Sequence, residues 1–287
     1  METKKSAKAT DREAENATRW LVTWLNQVRA FAERSLREVA GSMTMLFWVL
    51  GFPAGMYLLY TTQRSGTPPA LDTTTSIGIA VLGAMFVCLY LFGNQLVLDV
   101  EEDRYAAYRS MPLSPAADLS GRMLAGLVLG TGAFASALIA GIATGGSYGL
   151  RGPESILIVL LAGMLTCVFW MVVAIPLVIY VENERVAEWT TTLVAMGAFV
   201  LTGFNGALPE TSPLEGEVLN LLPNTLPTRL LVYHLVPAES WVELGIAPPA
   251  MPAGPEYVVL LISYTLVALV GGVVIINRSL YGRGWWS

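Results

Sequence analysis

Six stretches of the chain contain no charged residue and are dominated by apolar side chains. They are Met43–Thr61, Ser76–Leu98, Leu124–Ile142, Ile156–Tyr180, Thr190–Phe204 and Tyr257–Ile276. Five of them hold 19 to 25 residues, enough for a helix to cross a hydrocarbon core of about 30 Å. Buried helices of a large soluble protein are the alternative, but such helices keep a polar face. The pattern therefore predicts an all-α integral membrane protein with six transmembrane helices.

The fifth stretch is short, with 15 residues. We expect this span to extend over residues 189–204 by including Trp189, or to cross a locally thinned bilayer. The other predicted spans are residues 43–61, 76–98, 124–142, 156–180 and 257–276, within a transmembrane domain of residues 43–280.

A different pattern precedes the first span. Residues 1–18 are polar and are expected to form a mobile cytoplasmic tail. In residues 19–42, apolar side chains such as Trp20, Trp24 and Phe31 recur at three- and four-residue spacing between charged ones. This predicts an amphipathic helix that lies in the membrane interface, with packing against another protein as the alternative. Because the first 42 residues carry no signal-peptide pattern, the first span is expected to be an uncleaved anchor.

The basic residues are distributed unevenly between the connections. Of the 17 Lys and Arg residues, 14 lie in the N-terminal region, in the loops after spans two and four, and after span six. The other connections hold only Arg64, Arg151 and Arg229. Since cytoplasmic loops are enriched in Lys and Arg, both termini, including the tail 281–287, are predicted to be cytoplasmic.

The connection between spans five and six is long. Residues 205–256 are external by the same charge rule and contain nine prolines. Because a loop of this length without structure of its own is unusual, we expect short re-entrant helices in it before the sixth span.

Small residues and cysteines mark the interior of the spans. Glycines and alanines cluster in span three, including Gly126 and Gly130, which predicts a tight helix seam either inside the chain or between subunits. Cys88 and Cys167 both fall inside spans and are expected to be free thiols.

Several kinds of catalytic chemistry have no counterpart in the sequence. It contains neither a GxxxxGK[ST] phosphate loop nor an HExxH motif, and it shows no metal-ligand spacing. The single histidine, His234, is assigned a structural role. The chain is therefore expected not to be an enzyme, and a membrane-embedded enzyme ranks last among the alternatives.

A compact charged segment separates spans two and three. Residues 99–122 read DVEEDRYAAYRSMPLSPAADLSGR. We expect the helix of span two to end at Pro112, and Ser114-Pro115 to cap and begin a new short helix. An ordinary solvated loop is the alternative.

This segment resembles the cytoplasmic loop of type-2 (ABCG-like) ABC exporter permeases. The stretch Tyr108–Ser114, YRSMPLS, is especially similar to that of the daunorubicin-resistance type. The order of elements also agrees: an amphipathic N-terminal helix, six spans and a long external segment before the last. Ala106-Ala107 departs from the pattern, because many relatives have a glycine close to the acids, and this leaves the subfamily open.

The resemblance implies a permease subunit in the plasma membrane of a prokaryote. Such a subunit exports a hydrophobic or amphiphilic substrate by alternating access. Its expected partners are a second permease, identical or related, and membrane lipids, but no nucleic acid. ATP and Mg are held by separate ATP-binding subunits, and the permease has no cofactor of its own. The N-terminal helix would be the connecting helix. A self-contained secondary transporter or channel is the alternative.

The resemblance also implies two sets of functional residues. The residues expected to couple to the ATPase, in the loop 99–122, are Glu101, Glu102, Arg104, Tyr108, Arg109, Pro112, Leu113 and Ser114. The residues expected to line a substrate cavity, on spans one, two and five, are Phe47, Met56, Phe86, Tyr90, Asn94, Met196, Phe199 and Asn205.

Overall fold

The computed structural model describes residues 2–64, 66–179, 181, 183–237, 239 and 241–280, without the side chains of residues 2–14 and of Arg109. This part of the chain is helical and contains no β-strand. The helices are α1 (Glu2–Ala40), α2 (Met43–Thr62), α3 (Pro69–Glu101), α4 (Arg104–Ser110), α5 (Pro115–Ala143), α6 (Glu154–Val178), α7 (Glu184–Leu201), α8 (Leu226–Leu235) and α9 (Pro255–Ser279). Short turns at Gly203–Gly206, Pro209–Thr211 and Gly216–Asn220 connect α7 to α8.

Five of these helices are long and apolar enough to cross a membrane: α2, α3, α5, α6 and α9. They correspond to five of the six predicted spans. The predicted fifth span forms α7, which has 18 residues and carries Glu184, Arg185 and Glu188 near its start. Because α7 is so short, all three charges would lie within the stretch that has to cross, so its crossing of the membrane stays a prediction. The predicted tail 281–287 and Tyr180 lie outside the described residues.

Helix α3 occupies the centre of the bundle. Of its most apolar 18-residue stretch, 94% is buried inside the protein, compared with 17% to 33% for the other four helices. Those four therefore present most of their apolar surface outwards, as helices in contact with lipid do.

Helix α5 packs against α3 and α6 through small residues. A Cβ atom added at Gly130 would lie 2.8 Å from the Sγ atoms of both Cys88 and Cys167. This approach is too close for any residue larger than glycine without rearrangement. The predicted tight seam is confirmed, and it is internal to the chain. Both cysteines are buried and free, as predicted.

Two helices begin earlier than the apolar windows predicted. Helix α3 starts at Pro69 rather than at residue 76, because the hydroxyls of Thr73, Thr74 and Thr75 donate to carbonyls four residues earlier at 2.8 to 2.9 Å. The polar side chains are thus satisfied within the helix itself. Helix α5 runs without interruption from Pro115. The short helix that was expected to precede span three is therefore not separate but forms the first turns of α5.

The amphipathic helix predicted for residues 19–42 is part of α1. Helix α1 includes residues 2–18 in its backbone, and the mobility expected there stays a prediction. Its second half packs along α5, where a Cβ atom at Gly121 would lie 2.5 Å from the carbonyl oxygen of Val28. Near the middle of α1, Trp20 and Leu21 are exposed. The second half of α1 therefore packs on its own chain, and contact of the exposed Trp20 and Leu21 with the membrane interface stays a prediction.

The segment 205–256 folds over the end of the bundle opposite to α4. Its helix α8 is joined to the α5–α6 connection by hydrogen bonds from the Gly149 N–H to the Leu235 carbonyl, 2.9 Å, and from the Arg151 N–H to the His234 carbonyl, 3.3 Å. Helix α8 confirms that this segment contains a short helix, whereas its re-entry into the membrane stays a prediction.

A buried arginine holds the same segment together. Arg229 is fully buried, and its guanidinium donates to Asn220 Oδ1 at 2.5 Å and to the Pro249 carbonyl at 2.6 Å. Its further acceptors, the carbonyls of Gly206 and Ile246 and the Met251 sulfur, are also neutral. Burial lowers the pKa of Arg229 to about 10.

Candidate functional site

A carboxylate at the end of α3 gathers three arginines. Asp99 is 1% exposed, and its Oδ1 accepts hydrogen bonds at 2.7 Å from Arg34 Nη2 of α1 and from Arg104 Nη1 of α4. Its Oδ2 accepts from Arg122 Nη2 of α5. We call Asp99, Arg34, Arg104 and Arg122 the Asp99 cluster. This cluster joins four helices at one point.

A residue with a left-handed backbone conformation lets Arg104 reach Asp99. Asp103 has φ 51° and ψ 27°, so the backbone turns sharply between α3 and α4. Aspartate tolerates this conformation better than most residues, because its short polar side chain hydrogen-bonds locally. The turn brings Arg104 back onto Asp99, five residues earlier.

Neighbouring acids balance the charge of the three arginines. The Arg122 Nε donates to Asp118 Oδ1 at 2.6 Å, one turn earlier in α5, and both side chains are almost fully buried. Arg34 Nε donates to Glu38 Oε1 at 3.0 Å on α1. Arg104 in turn forms an ion pair with Glu102, so each arginine of the cluster has a second acid besides Asp99. Buried charges need such complete pairing, because an unpaired ion would lose its hydration without compensation.

Tyr108 connects the cluster to α1. Its hydroxyl lies within hydrogen-bonding distance of Arg34 and 3.5 Å from Asp99 Oδ2. Its ring packs edge to face on Phe31, with 5.7 Å between the centroids. Burial and the nearby Asp99 charge raise the pKa of Tyr108, so the phenol stays protonated.

A glutamine side chain clamps the loop between α4 and α5. Gln27 of α1 donates through Nε2 to the Pro112 carbonyl at 3.1 Å and accepts from the Ser114 N–H through Oε1 at 3.0 Å. Ser114 is the residue before α5, as predicted, but its hydroxyl makes no capping hydrogen bond. Gln27 thus engages the Ser114 backbone.

The expectation that the helix of span two ends at Pro112 was wrong. Helix α3 ends at Glu101, and the separate helix α4 ends at Ser110, before the exposed Met111 and Pro112. The left-handed Asp103 makes the earlier break, which sequence inspection missed.

The other predicted coupling residues differ in their surroundings. Glu101 accepts from the Glu184 N–H at 3.0 Å and so links α3 to the start of α7. Glu102 forms an ion pair with Arg104. Leu113 is half-buried, and the side chain of Arg109 lies outside the described part of the structure. The residues that were missed are Asp99, Arg34, Gln27, Asp118 and Arg122. The spacing of four between Asp118 and Arg122 was the available signal for that pair.

A pocket of about 410 Å³ opens between α2, α3 and α7. Three of the predicted cavity residues, Phe86, Tyr90 and Met196, line it. Its other lining residues were missed: Trp48, Phe52, Glu188, Trp189 and Thr192.

The remaining predicted cavity residues lie elsewhere. Phe47 is exposed on α2, Met56 is half-buried, and Phe199 is buried in the core. Asn205 is buried in the turn after α7, where it has φ 56°. Asn94 is buried, and its Nδ2 donates to Glu184 Oε1 at 3.3 Å.

A π-helical turn presents two aromatic rings to the pocket. The Phe52 N–H donates to the Phe47 carbonyl five residues earlier, and Pro53, which lacks an N–H, follows at once. Gly83 makes room for Pro53, because a Cβ atom there would lie 2.7 Å from the proline ring. Pro53 within an apolar window was the signal for this irregularity.

Comparison with protein-family models and with curated proteins finds no match to this chain.

Proposed function

We propose that this chain is the membrane-spanning permease subunit of an ABC transporter and that a separate subunit hydrolyses ATP. In this proposal, the chain exports a hydrophobic or amphiphilic substrate by alternating access. The Asp99 cluster is the observation that carries the proposal. It fastens the surface helix α1 and the loop helix α4 to α3, the helix at the centre of the bundle.

This attachment gives a path for mechanical coupling. The exposed tip at Met111 and Pro112 lies beside the Gln27 clamp, and is the surface we assign to ATPase docking. A displacement of this tip moves α1 and α4, and the cluster transmits the movement to α3. Along α3, Asp99 lies nine residues, or about 14 Å, from Tyr90 in the pocket. The same helix therefore connects the docking surface to the pocket.

The proposal includes six crossings with both termini in the cytoplasm of a prokaryotic cell. Helix α7 is the additional crossing, and its charged start faces the same side as the end of α3, to which Glu101 joins it. The Lys and Arg bias of 14 to 3 supports the cytoplasmic assignment of that side. A second permease copy or a related permease completes the pathway.

Purification from native membranes tests the proposal directly. The tagged chain is expected to retain an ATP-binding subunit, identified by mass spectrometry, and the complex to hydrolyse ATP. Met111→Glu, which places a charge on the exposed tip, is expected to abolish ATPase binding. Val242→Glu is the matched control, because Val242 is exposed at the opposite end of the molecule. Substrate transport by the chain without any ATPase would contradict the proposal.

A self-contained secondary carrier is the second candidate, and one observation favours it. Glu188 places an ionisable group in the pocket, where proton-coupled carriers hold such groups. This alternative requires uptake or efflux driven by a pH gradient in vesicles that contain only this chain.

A further inference from the structure

Five aromatic side chains stand around one carboxylate in the pocket between α2, α3 and α7. The rings of Trp48, Phe52, Phe86 and Tyr90 pack on one another, with centroids 5.2 to 6.0 Å apart. The planes of Phe86 and Tyr90 differ by only 9°. These mutual contacts fix the orientation of the wall. Trp189, which is 67% exposed, completes the rim.

The carboxylate belongs to Glu188 and is oriented by one of the rings. The Tyr90 hydroxyl donates to Glu188 Oε1 at 2.8 Å. Among the described side chains, no Lys, Arg or His forms an ion pair with Glu188. Glu188 is only half-buried, so its charge faces the pocket without an internal counter-ion.

This combination has a specific ligand chemistry. The faces of aromatic rings attract cations, and quaternary ammonium groups are recognised by cages of such rings. The carboxylate adds a full negative charge in a place that is largely apolar. Lipid hydrocarbon chains would fill the pocket but would leave this charge uncompensated, whereas a hydrophobic cation satisfies both the rings and the carboxylate.

We infer that the pocket binds a hydrophobic organic cation, of the quaternary ammonium or phosphonium class, with Glu188 as its counter-ion. The volume of about 410 Å³ lies in the range of small-molecule sites. The claim that such a cation is the exported cargo rests on the proposed function. The claim that the pocket binds the cation rests on the geometry of the pocket alone.

Binding is tested on the purified full chain in lipid nanodiscs, without an ATPase. Tetraphenylphosphonium is the probe, tetraphenylborate is the anion of the same size and shape, and empty nanodiscs correct for partition into lipid. Equilibrium dialysis is expected to show saturable binding of the cation only. Glu188→Gln is expected to weaken it about tenfold or more, because it removes the counter-ion. Glu184→Gln, one turn away and outside the pocket lining, is expected to change it less than about twofold.

A second pair of variants keeps the test independent of Glu188. Trp189→Leu removes one ring of the cage and is expected to weaken cation binding about threefold to tenfold. Trp20→Leu removes an exposed tryptophan that does not line the pocket and is expected to leave binding unchanged. Equal binding of the cation and the anion, or an unchanged affinity in Glu188→Gln, would overturn the inference.

The remaining outcomes separate the inference from the proposed function. If Trp189→Cys chains cross-link to each other and the wild-type chain binds no cation, the pocket is an interface between copies and the inference is wrong. If cation binding depends on Glu188 but no ATPase associates with the chain, the binding site holds and the proposed function fails. If an ATPase drives transport and tetraphenylphosphonium does not inhibit it, the inferred cargo class is wrong and the permease function is supported.

Discussion

Asp99 and Arg122 form an ion pair that is almost completely withdrawn from solvent, with 1% and 2% of their side chains exposed. They are separated by 23 residues and join the end of α3 to the beginning of α5. Arg34 and Arg104 share the same carboxylate. Loss of Asp99 would thus remove one partner from all three guanidinium groups. Each keeps a further acid: Glu38 for Arg34, Glu102 for Arg104 and Asp118 for Arg122.

Asp99→Asn is expected to destabilise the protein strongly. Removal of one partner of a buried ion pair costs about 3 to 5 kcal/mol when the other charge stays buried without compensation. Because Arg122 keeps its pairing with Asp118, we expect a loss near the lower end of this range. The measurement is the thermal unfolding temperature of the purified chain in detergent. Asp103→Asn is the matched control, since Asp103 is exposed only four residues away, and asparagine also tolerates its left-handed backbone. Equal unfolding temperatures for the two variants would contradict the role of Asp99.

Gln27→Ala is expected to loosen the tip between α4 and α5. The variant removes the acceptor of the Ser114 N–H and the donor to the Pro112 carbonyl, and each lost hydrogen bond costs about 1 kcal/mol. Hydrogen exchange followed by mass spectrometry is expected to show about tenfold faster exchange in peptides that contain residues 111–114. Asn26→Ala, at an exposed neighbour on α1, is the control and is expected to leave this exchange unchanged.

Gly121→Ala is expected to separate α1 from α5. The added methyl group would lie 2.5 Å from the Val28 carbonyl oxygen and 2.6 Å from the Phe31 Cβ atom, so the helices have to move apart. Overpacking of this kind costs about 1 to 3 kcal/mol. The unfolding temperature measures the loss. In Gly271→Ala, where nothing lies within 4 Å of the added atom, the temperature is expected to be unchanged or higher. A similar loss in both variants would show that the close approach is unimportant.

The apolar windows predicted the five long apolar helices, because helices that can cross a membrane differ from soluble ones along their whole length. The windows did not predict the true start of α3, since hydroxyls bonded to the helix backbone, such as that of Thr73, look polar in sequence but are satisfied in structure. The spacing of apolar residues also located the amphipathic part of α1. Its packing on α5 depends on Gly121, whose importance is visible only once the two helices are side by side.

The Asp99 cluster could not be predicted from local pattern. Arg34, Asp99 and Arg122 are far apart in sequence. Asp99 and Arg122 look like ordinary charged residues beside apolar stretches, and Arg34 looks like one of the charged positions of the amphipathic helix. Their pairing follows from the three-dimensional meeting of α1, α3 and α5. Three residues that line the pocket, Phe86, Tyr90 and Met196, were among those expected to line a substrate cavity, and that role stays a prediction. Glu188 was overlooked because it precedes the apolar window of span five.

His234 links α8 to the start of α6 in a way that depends on protonation. Its Nδ1 lies 2.9 Å from the Ser155 hydroxyl oxygen, which also accepts from the Gly152 N–H. Burial and the nearby Arg151 lower the pKa of His234 below its ordinary 6.5, and Glu154 offsets this only in part.

Acidification is therefore expected to destabilise the protein through His234. As the pH decreases below 6.5, the unfolded chain binds a proton at this histidine before the folded chain does. The free energy of unfolding therefore decreases as the pH decreases. Above pH 6.5, the histidine is neutral in both states and its contribution is constant. Unfolding temperatures between pH 5 and pH 8 are expected to fall more steeply towards acid in the wild type than in His234→Gln. Parallel curves would show that the His234 environment does not sense pH.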